Sequence, residues 1–187
     1  TGRGVSSLPT QLPPSVRVGS KQYRIISTCF PPINFFEKYV TADLMGALWE
    51  LEAETNPRLQ QETGDLNLVQ KNDRVSGNNA SIVMAPFTHV GHATRFSDGS
   101  YGVYYAGRSL ETAIYESAHH REIIAKDADL GPTEFSMRAW VGKVKKQLHD
   151  VRGTTYKHLH DMAPRPADHP IAQQFGRMLK DNDAYGL

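Results

Sequence analysis

The sequence has little of several features that would define a class of protein. Its 187 residues include one cysteine, Cys29, which excludes a disulfide framework and favours a cytoplasmic location. A net charge of +1 gives no overall attraction to nucleic acid or to an anionic membrane. No apolar run approaches the ~18 residues that a membrane span requires. We therefore expect no membrane association and no direct binding to nucleic acid.

Common catalytic motifs are also missing. The sequence has no GxSxG nucleophile elbow, no GxxxxGK[ST] phosphate loop and no GxGxxG turn after a strand. Zinc is the obvious alternative, because the eight histidines include His89 with His92, and His119 next to His120. However, the HVGH spacing lacks a second ligand pair, and two adjacent helical residues cannot face one ion. We predict no metal site.

The distribution of polar and apolar stretches predicts one α+β domain. Residues 1–20 are rich in Ser, Pro and Gly and are predicted to form a flexible N-terminal arm, with the domain covering residues 21–187. The elements follow without a regular βαβ period, which indicates mixed or antiparallel sheets flanked by helices. The predicted strands cover residues 21–29, 81–87, 101–106 and 134–148; the predicted helices cover residues 42–54, 110–126 and 171–180.

The most informative stretch is RFSDGSYGVYYAGRSLETAIYES, from Arg95 to Ser117. It contains an arginine, a glycine-broken turn, an aromatic strand, and a helix that Ser109 is predicted to cap. Arg95, Tyr105 and Glu116 thus place a cation, a flat ring and an anion on three successive elements. Such a set suits a phosphate-bearing ligand whose leaving group carries a positive charge until it departs, and NAD is such a ligand.

Each of these side chains also has an ordinary structural interpretation. Arg95 could be a surface arginine, and Glu116 could be a solvated helix carboxylate. Tyr104 and Tyr105 must point to opposite faces of the predicted strand, and the sequence leaves open which one lines a cleft. Arg24, inside the apolar run QYRII, is a further candidate, because an arginine there either reaches solvent at an edge or binds a specific anion.

The stretch from Arg95 to Glu116 resembles the core motif of RES-domain proteins, which are toxins of bacterial toxin–antitoxin pairs. The resemblance places Arg95, Tyr105 and Glu116 at the family's Arg, Tyr and Glu, and Arg24 at its earlier strand arginine. The segments at residues 41–59 and 171–187 are similar to flanking regions of the ParT-like branch. The family's serine follows a Gly-Leu segment like the one at Gly186, so we expect it beyond Leu187 in a longer chain.

The resemblance implies a fold like that of ADP-ribosyltransferase toxins and an enzyme that uses NAD as its substrate. It assigns Glu116 to the ribose, where a carboxylate stabilises developing positive charge, and it assigns Arg95 and Arg24 to the diphosphate. Tyr105 would lie against the nicotinamide or the ribose.

The activity that the resemblance implies is transfer of ADP-ribose to a cellular protein, with phosphoribosyl pyrophosphate synthetase as the candidate target. Phosphorolysis or hydrolysis of NAD is the alternative activity. A cognate antitoxin is the expected partner. A second alternative, from a different class of protein, is a non-catalytic module that binds a nucleotide or a partner protein.

Overall fold

The computed structural model describes residues 11–29, 33, 35, 41–53, 61–160 and 169–187. These residues form a single α+β domain of helices and small antiparallel sheets, as the sequence predicts. The helices are α1 (Ala42–Ala53), α2 (Ala80–Thr88), α3 (Leu110–Asp127) and α4 (Pro170–Asp181). The strands are β1 (Ser15–Arg17), β2 (Lys21–Ser27), β3 (Met137–Lys143) and β4 (Gln147–His149). Short 3-10 turns occur at Leu66–Leu68, Lys71–Asp73 and Thr154–His160.

The two sheets are each a pair of antiparallel strands. Strand β2 pairs with β3 from Lys21 opposite Lys143 to Ser27 opposite Met137, and α3 packs against β2. Strand β1 pairs with β4, with Ser15 opposite His149. Strand β1 therefore falls within residues 1–20, which were predicted to be a flexible arm. Residues 1–10 of that range lie outside the described residues. Helices in the described ranges are all too short or too polar to cross a membrane.

The apolar core consists of two clusters among the described residues. The first joins α1 and α2 around Trp49, Leu66 and Met84, and the Trp49 indole donates a hydrogen bond to Thr63 Oγ1 at 3.1 Å. The second joins α4 to the 3-10 turn at Thr154–His160, with Phe175 completely buried at its centre. The second cluster determines where α4 lies, and α4 in turn contacts the stretch that contains Arg95.

Three predicted strands differ from the structure. The apolar run at 81–87 is a helix, α2, because periodicity cannot distinguish a short buried helix from a buried strand. Residues 101–106 form no regular ladder, although Gly107 makes one antiparallel bridge to Tyr23 of β2. The single strand predicted at 134–148 is two strands, β3 and β4, which belong to different sheets. The predicted strand at 21–29 is confirmed as β2.

The predicted helices are confirmed nearly to the residue. Helix α3 begins where Ser109 accepts a hydrogen bond from the Thr112 amide at 3.0 Å, which is the predicted cap. The predicted helix at 171–180 is α4, which has Pro170 in its first turn, where a missing amide hydrogen is tolerated. The predicted helix at 42–54 is α1, and Thr41 accepts a hydrogen bond from the Leu44 amide at 3.3 Å.

Candidate functional site

Arg95 lies in a compact turn formed by residues 94–101. The turn is closed by a hydrogen bond from the Thr94 amide to the Ser97 carbonyl at 2.7 Å. Ser97 is almost completely buried, and its hydroxyl donates to the Tyr101 carbonyl at 2.6 Å while it accepts from the Gly99 amide at 3.0 Å. The local sequence RFSDGSY thus fixes the backbone on both sides of the arginine.

Tyr105 is brought to the same turn. Its hydroxyl donates to Thr94 Oγ1 at 2.9 Å and accepts from the Phe96 amide at 3.1 Å, so it contacts both neighbours of Arg95. The residue is 41% exposed, yet burial raises the pKa of Tyr105, and the hydrogen bonds with Thr94 and Phe96, followed by the Arg95 charge, oppose that rise. The structure therefore brings together two of the three side chains that the sequence singled out.

The guanidinium of Arg95 also has a structural contact. Its Nη1 donates to the carbonyl oxygen of Leu159 at 3.3 Å, at the end of the 3-10 turn Thr154–His160. This hydrogen bond crosses 64 positions of the sequence and ties the arginine to the second core cluster. Arg95 is half-buried, so contacts within the protein hold its side chain in position.

Helix α4 holds the turn from the other side. A Cβ atom on Gly176 would overlap the Phe96 carbonyl oxygen and lie 2.8 Å from the Tyr101 hydroxyl, so helix and turn meet backbone to backbone. Gln173 donates a side-chain hydrogen bond to the Thr94 carbonyl at 3.0 Å. The guanidinium of Arg177 pairs with the Asp98 carboxylate at 3.1 Å.

Two ionisable groups of this turn respond to these contacts. Hydrogen bonds from Ser100, joined by one from Arg177, lower the pKa of Asp98 to about 2. Burial raises the pKa of Tyr101 to about 12, and its hydroxyl donates to the Phe96 carbonyl at 2.5 Å. At neutral pH the turn therefore holds a charged Asp98 and a neutral Tyr101.

Arg24, which lies on β2, contacts Tyr104 and not Tyr105. Its guanidinium carbon lies 4.6 Å from the centre of the Tyr104 ring, a cation–π contact. Burial lowers the pKa of Arg24, and its Nη1 is buried without a hydrogen-bond partner in the described part of the chain. The sequence left open which tyrosine lines a cleft. The structure gives each tyrosine an arginine, with Arg24 against Tyr104 and Arg95 beside Tyr105.

Glu116 lies on the solvent side of α3. Its carboxylate is 3.8 Å from the His120 imidazole, and 71% of its side chain is exposed. It lies one helical turn beyond Ala113, whose backbone closely approaches Gly107 two residues after Tyr105. Within the described residues, Glu116 makes no direct contact with Arg95 or Tyr105. Its assignment to the same site stays a prediction.

Two surface cavities flank these residues without being lined by Arg95, Tyr105 or Glu116. One, of about 300 Å³, lies between Asp98 and the first two turns of α4. The other, of about 480 Å³, is a mainly apolar groove between α3 and the β2–β3 sheet. The groove is lined by Ile25, Leu110, Ile114, Ser117, Ala118, Arg121, Phe135, Met137, Arg138 and Ala139.

Several histidines in the described ranges make structural contacts, whereas His158 Nε2 is buried there without a hydrogen-bond partner. His89 interacts through its two ring nitrogens with the carbonyl oxygens of Ala85 and Gln61, each at 3.2 Å. His149 Nδ1 lies 2.5 Å from the Pro13 carbonyl oxygen. Nowhere in the described part of the chain do three His, Cys, Asp or Glu side chains converge as metal ligands do.

Sequence reasoning missed the role of α4. Gly176 and Arg177 contact the turn across about 80 positions of sequence, and no local pattern predicts so distant a partner. Tyr104 was recognisable as a candidate, because alternation along an extended segment must place it opposite Tyr105. Arg177 and Asp98 carry opposite charges, but charge alone does not identify a pair.

Comparisons with known proteins identify the family of the chain. A family model described as "RES domain" matches residues 73–187, which include Arg95, Tyr105 and Glu116 but not Arg24. An uncharacterized protein, y4oC from Sinorhizobium fredii (strain NBRC 101917 / NGR234), is 31% identical over 138 residues, or 73% of this chain. The chain spans 59% of that relative's length. No solved structure matches. Because the family model matches more than half of its length, the chain belongs to the RES-domain family.

Proposed function

We propose that this protein is an enzyme that breaks the nicotinamide–ribose bond of NAD, as the toxin of a toxin–antitoxin pair. The observation that carries the proposal is the RES-domain match over residues 73–187, since RES domains are associated with NAD-acting enzymes. The half-buried Arg95 and the Tyr105 hydroxyl, held on one turn, supply a cation and a ring at a fixed position. Both groups are suited to a dinucleotide.

The chemistry requires little from the protein beyond charge and position. When the bond between the ribose carbon and the nicotinamide nitrogen breaks, its electron pair stays with nicotinamide, which leaves as a neutral molecule. The ribose is left with oxocarbenium character, as in glycoside hydrolysis. A carboxylate beside the ribose stabilises that positive charge, and this is the role proposed for Glu116. Arg95 and Arg24 would bind the diphosphate.

The acceptor of ADP-ribose distinguishes two forms of the activity. We favour a protein acceptor, with phosphoribosyl pyrophosphate synthetase as the candidate target, because the segments at residues 41–59 and 171–187 resemble the ParT-like branch. Phosphorolysis or hydrolysis, which would deplete NAD, is the alternative. Mass spectrometry of the products formed from NAD, with and without phosphate and with the candidate protein, distinguishes the three acceptors.

The partner that a toxin of this kind needs is a cognate antitoxin. Such a protein would neutralise the enzyme in its own cell by covering or filling the NAD site. Co-expression of the two proteins should restore growth that the toxin alone arrests.

The decisive test is release of nicotinamide from NAD by the pure protein and by Glu116→Gln. We expect the variant to fold and to lose about 10²–10³-fold in turnover, since one preorganised charge-stabilising group is removed. Glu122→Gln is the matched control, because Glu122 lies on the same helix and its carboxylate pairs with Lys126. It should keep full activity.

The results that would contradict the proposal are clear. A Glu116→Gln variant as active as the wild type would remove Glu116 from the site. NAD binding without nicotinamide release in the wild type would favour the alternative of a non-catalytic binding module.

A further inference from the structure

One face of β2 carries a row of polar atoms that lack partners. Gln22 and Arg24 alternate along β2 and so project to the same side of the strand, and Ser20 directly precedes the strand. Ser20 Oγ, Gln22 Oε1 and Arg24 Nη1 are each buried without a hydrogen-bond partner in the part of the chain that the structure describes. A buried polar group without a partner is destabilising, and such groups are rare in folded proteins. Two on one strand face, with a third directly before the strand, indicate a missing partner.

No hydrogen bond joins Gln22 Oε1 to Arg24 Nη1. A glutamine oxygen and an arginine nitrogen two residues apart on one face could form a hydrogen bond with each other. Instead, the Arg24 guanidinium lies over the Tyr104 ring. The Gln22 amide nitrogen faces Gly142, the residue opposite it on β3, where a Cβ atom would lie only 2.6 Å from that nitrogen. The absence of a side chain at Gly142 therefore gives Gln22 its room.

The chemistry of the row restricts what can bind there. Arg24 offers a cationic donor and requires an acceptor, which is best supplied by an anionic oxygen. Gln22 Oε1 requires a donor, which a phosphate or carboxylate does not carry. Two residues of a strand separate the positions by about 7 Å. A ligand that satisfies both needs a hydroxyl group next to an anion, as in a sugar phosphate.

We propose that this face of β2 binds the ribose–phosphate part of a nucleotide, with Gln22 accepting a hydrogen bond from a ribose hydroxyl and Arg24 binding phosphate. Ser20 extends the row, and Gly142 provides the space for the Gln22 amide. The inference rests on the proposed function in taking NAD as the nucleotide. It adds Gln22 and Gly142 as residues that determine specificity for a ribose over a deoxyribose.

The test measures binding rather than turnover. Calorimetry compares ADP with 2′,3′-dideoxy-ADP on the wild type and on Gln22→Leu. We expect Gln22→Leu to weaken ADP binding about tenfold, as loss of one hydrogen bond does, and to leave binding of the dideoxy nucleotide unchanged. Gln70→Leu is the matched control, since Gln70 is exposed and its side chain makes no capping hydrogen bond. It should bind both nucleotides as the wild type does.

A second variant keeps the test independent of how Gln22→Leu folds. Gly142→Val leaves Gln22 in place but puts a side chain where the amide lies, so it should also weaken ADP binding about tenfold. Thermal unfolding of each variant checks that the fold is kept. Equal ADP affinity in the wild type and in whichever variant folds would overturn the inference. So would equal weakening of ADP and dideoxy-ADP, or no ADP binding by the wild type.

Failure of the inference and failure of the proposed function give different results. If the wild type releases nicotinamide from NAD but the Gln22 and Gly142 variants bind ADP normally, the inference fails alone. If the variants show the expected loss for ADP but no nicotinamide is released, the inference stands and the enzymatic function fails.

Discussion

The turn that carries Arg95 and the helix that carries Glu116 are attached to the rest of the protein in opposite ways. The turn at 94–101 contacts α4, Tyr105 and the 3-10 turn at Thr154–His160, and these contacts include backbone packing at Gly176. Helix α3 has 18 residues, of which Ala113 alone is buried. Its apolar side chains Ile114, Tyr115 and Ile124 are 49%, 68% and 51% exposed.

The difference separates positioning from chemistry. At Arg95, the proposed phosphate-binding residue, the fold fixes the backbone through contacts that are distant in sequence. At Glu116, the proposed reactive carboxylate, the side chain is on an exposed helix face and contributes little to stability. Substitutions in the turn should therefore affect folding and activity together, whereas substitutions of exposed residues on α3 should separate the two.

The largest effect is expected for Gly176→Ala, which tests how tightly α4 holds the turn. Alanine favours a helix over glycine by about 1 kcal/mol, but the new Cβ would overlap the Phe96 carbonyl. Because backbone cannot move aside cheaply, we expect a net loss of about 1–3 kcal/mol in the free energy of unfolding. Urea denaturation measures it.

A helical glycine with a different neighbour supplies the control. In α1, a Cβ on Gly46 would lie 2.6 Å from Nη1 of Arg74, which is the end of a flexible side chain and not backbone. Gly46→Ala should therefore leave stability unchanged or raise it by up to about 1 kcal/mol. Equal destabilisation of the two variants would mean that the contact between Gly176 and the turn adds nothing to the cost of the substitution.

The next effect is smaller and tests the contact between Tyr105 and the turn. Tyr105→Phe removes a hydroxyl that donates to Thr94 Oγ1 and accepts from the Phe96 amide. We expect a loss of about 0.5–1.5 kcal/mol in unfolding free energy and weaker NAD binding. Tyr115→Phe, on the exposed face of α3, should change neither quantity. A stable and fully active Tyr105→Phe would show that the hydroxyl does not hold the turn.

The sequence predicted the local features of this arrangement and missed the distant ones. The cap at Ser109 was predicted because its hydrogen bond spans only three residues, and α1 and α3 were predicted almost to the residue. The buried run at 81–87 has no such marker, and its apolar residues fit a helix as well as a strand. In the structure it is α2.

The candidate site shows the same limit. Arg95 and Tyr105 are ten residues apart, and their proximity followed from a turn between them. The pairing of Arg24 with Tyr104 and the support from Gly176 depend on how β2 and α4 pack, which no local spacing encodes. Whether Glu116 joins them was predicted from the order of residues, and the experiment on Glu116→Gln tests it.

A third prediction concerns the pH dependence of the turn. Burial raises the pKa of Tyr101 to about 12, against about 10 in an unfolded chain. The folded state therefore binds the Tyr101 proton more tightly than the unfolded chain does. The resulting contribution to the free energy of unfolding is complete below about pH 10 and is lost as the pH rises through about 12. Because Tyr101 is only half-buried, we expect about 1 kcal/mol or less. The difference in unfolding free energy between wild type and Tyr101→Phe, measured at pH 8 to 12, isolates it from other groups.

The smallest effect on stability is expected for Glu116→Gln. This variant therefore gives the clearest contrast between the exposed helix α3 and the turn. The Glu116 carboxylate is 3.8 Å from an exposed His120, so Glu116→Gln should change the unfolding free energy by less than about 0.5 kcal/mol. Glu122 pairs with Lys126 at 2.8 Å, so Glu122→Gln should be at least as destabilising. The order should reverse for nicotinamide release, where Glu116→Gln alone loses activity. If Glu116→Gln were instead the less stable of the two and its activity fell only in proportion to the folded fraction, Glu116 would be a structural residue and α3 would resemble the turn.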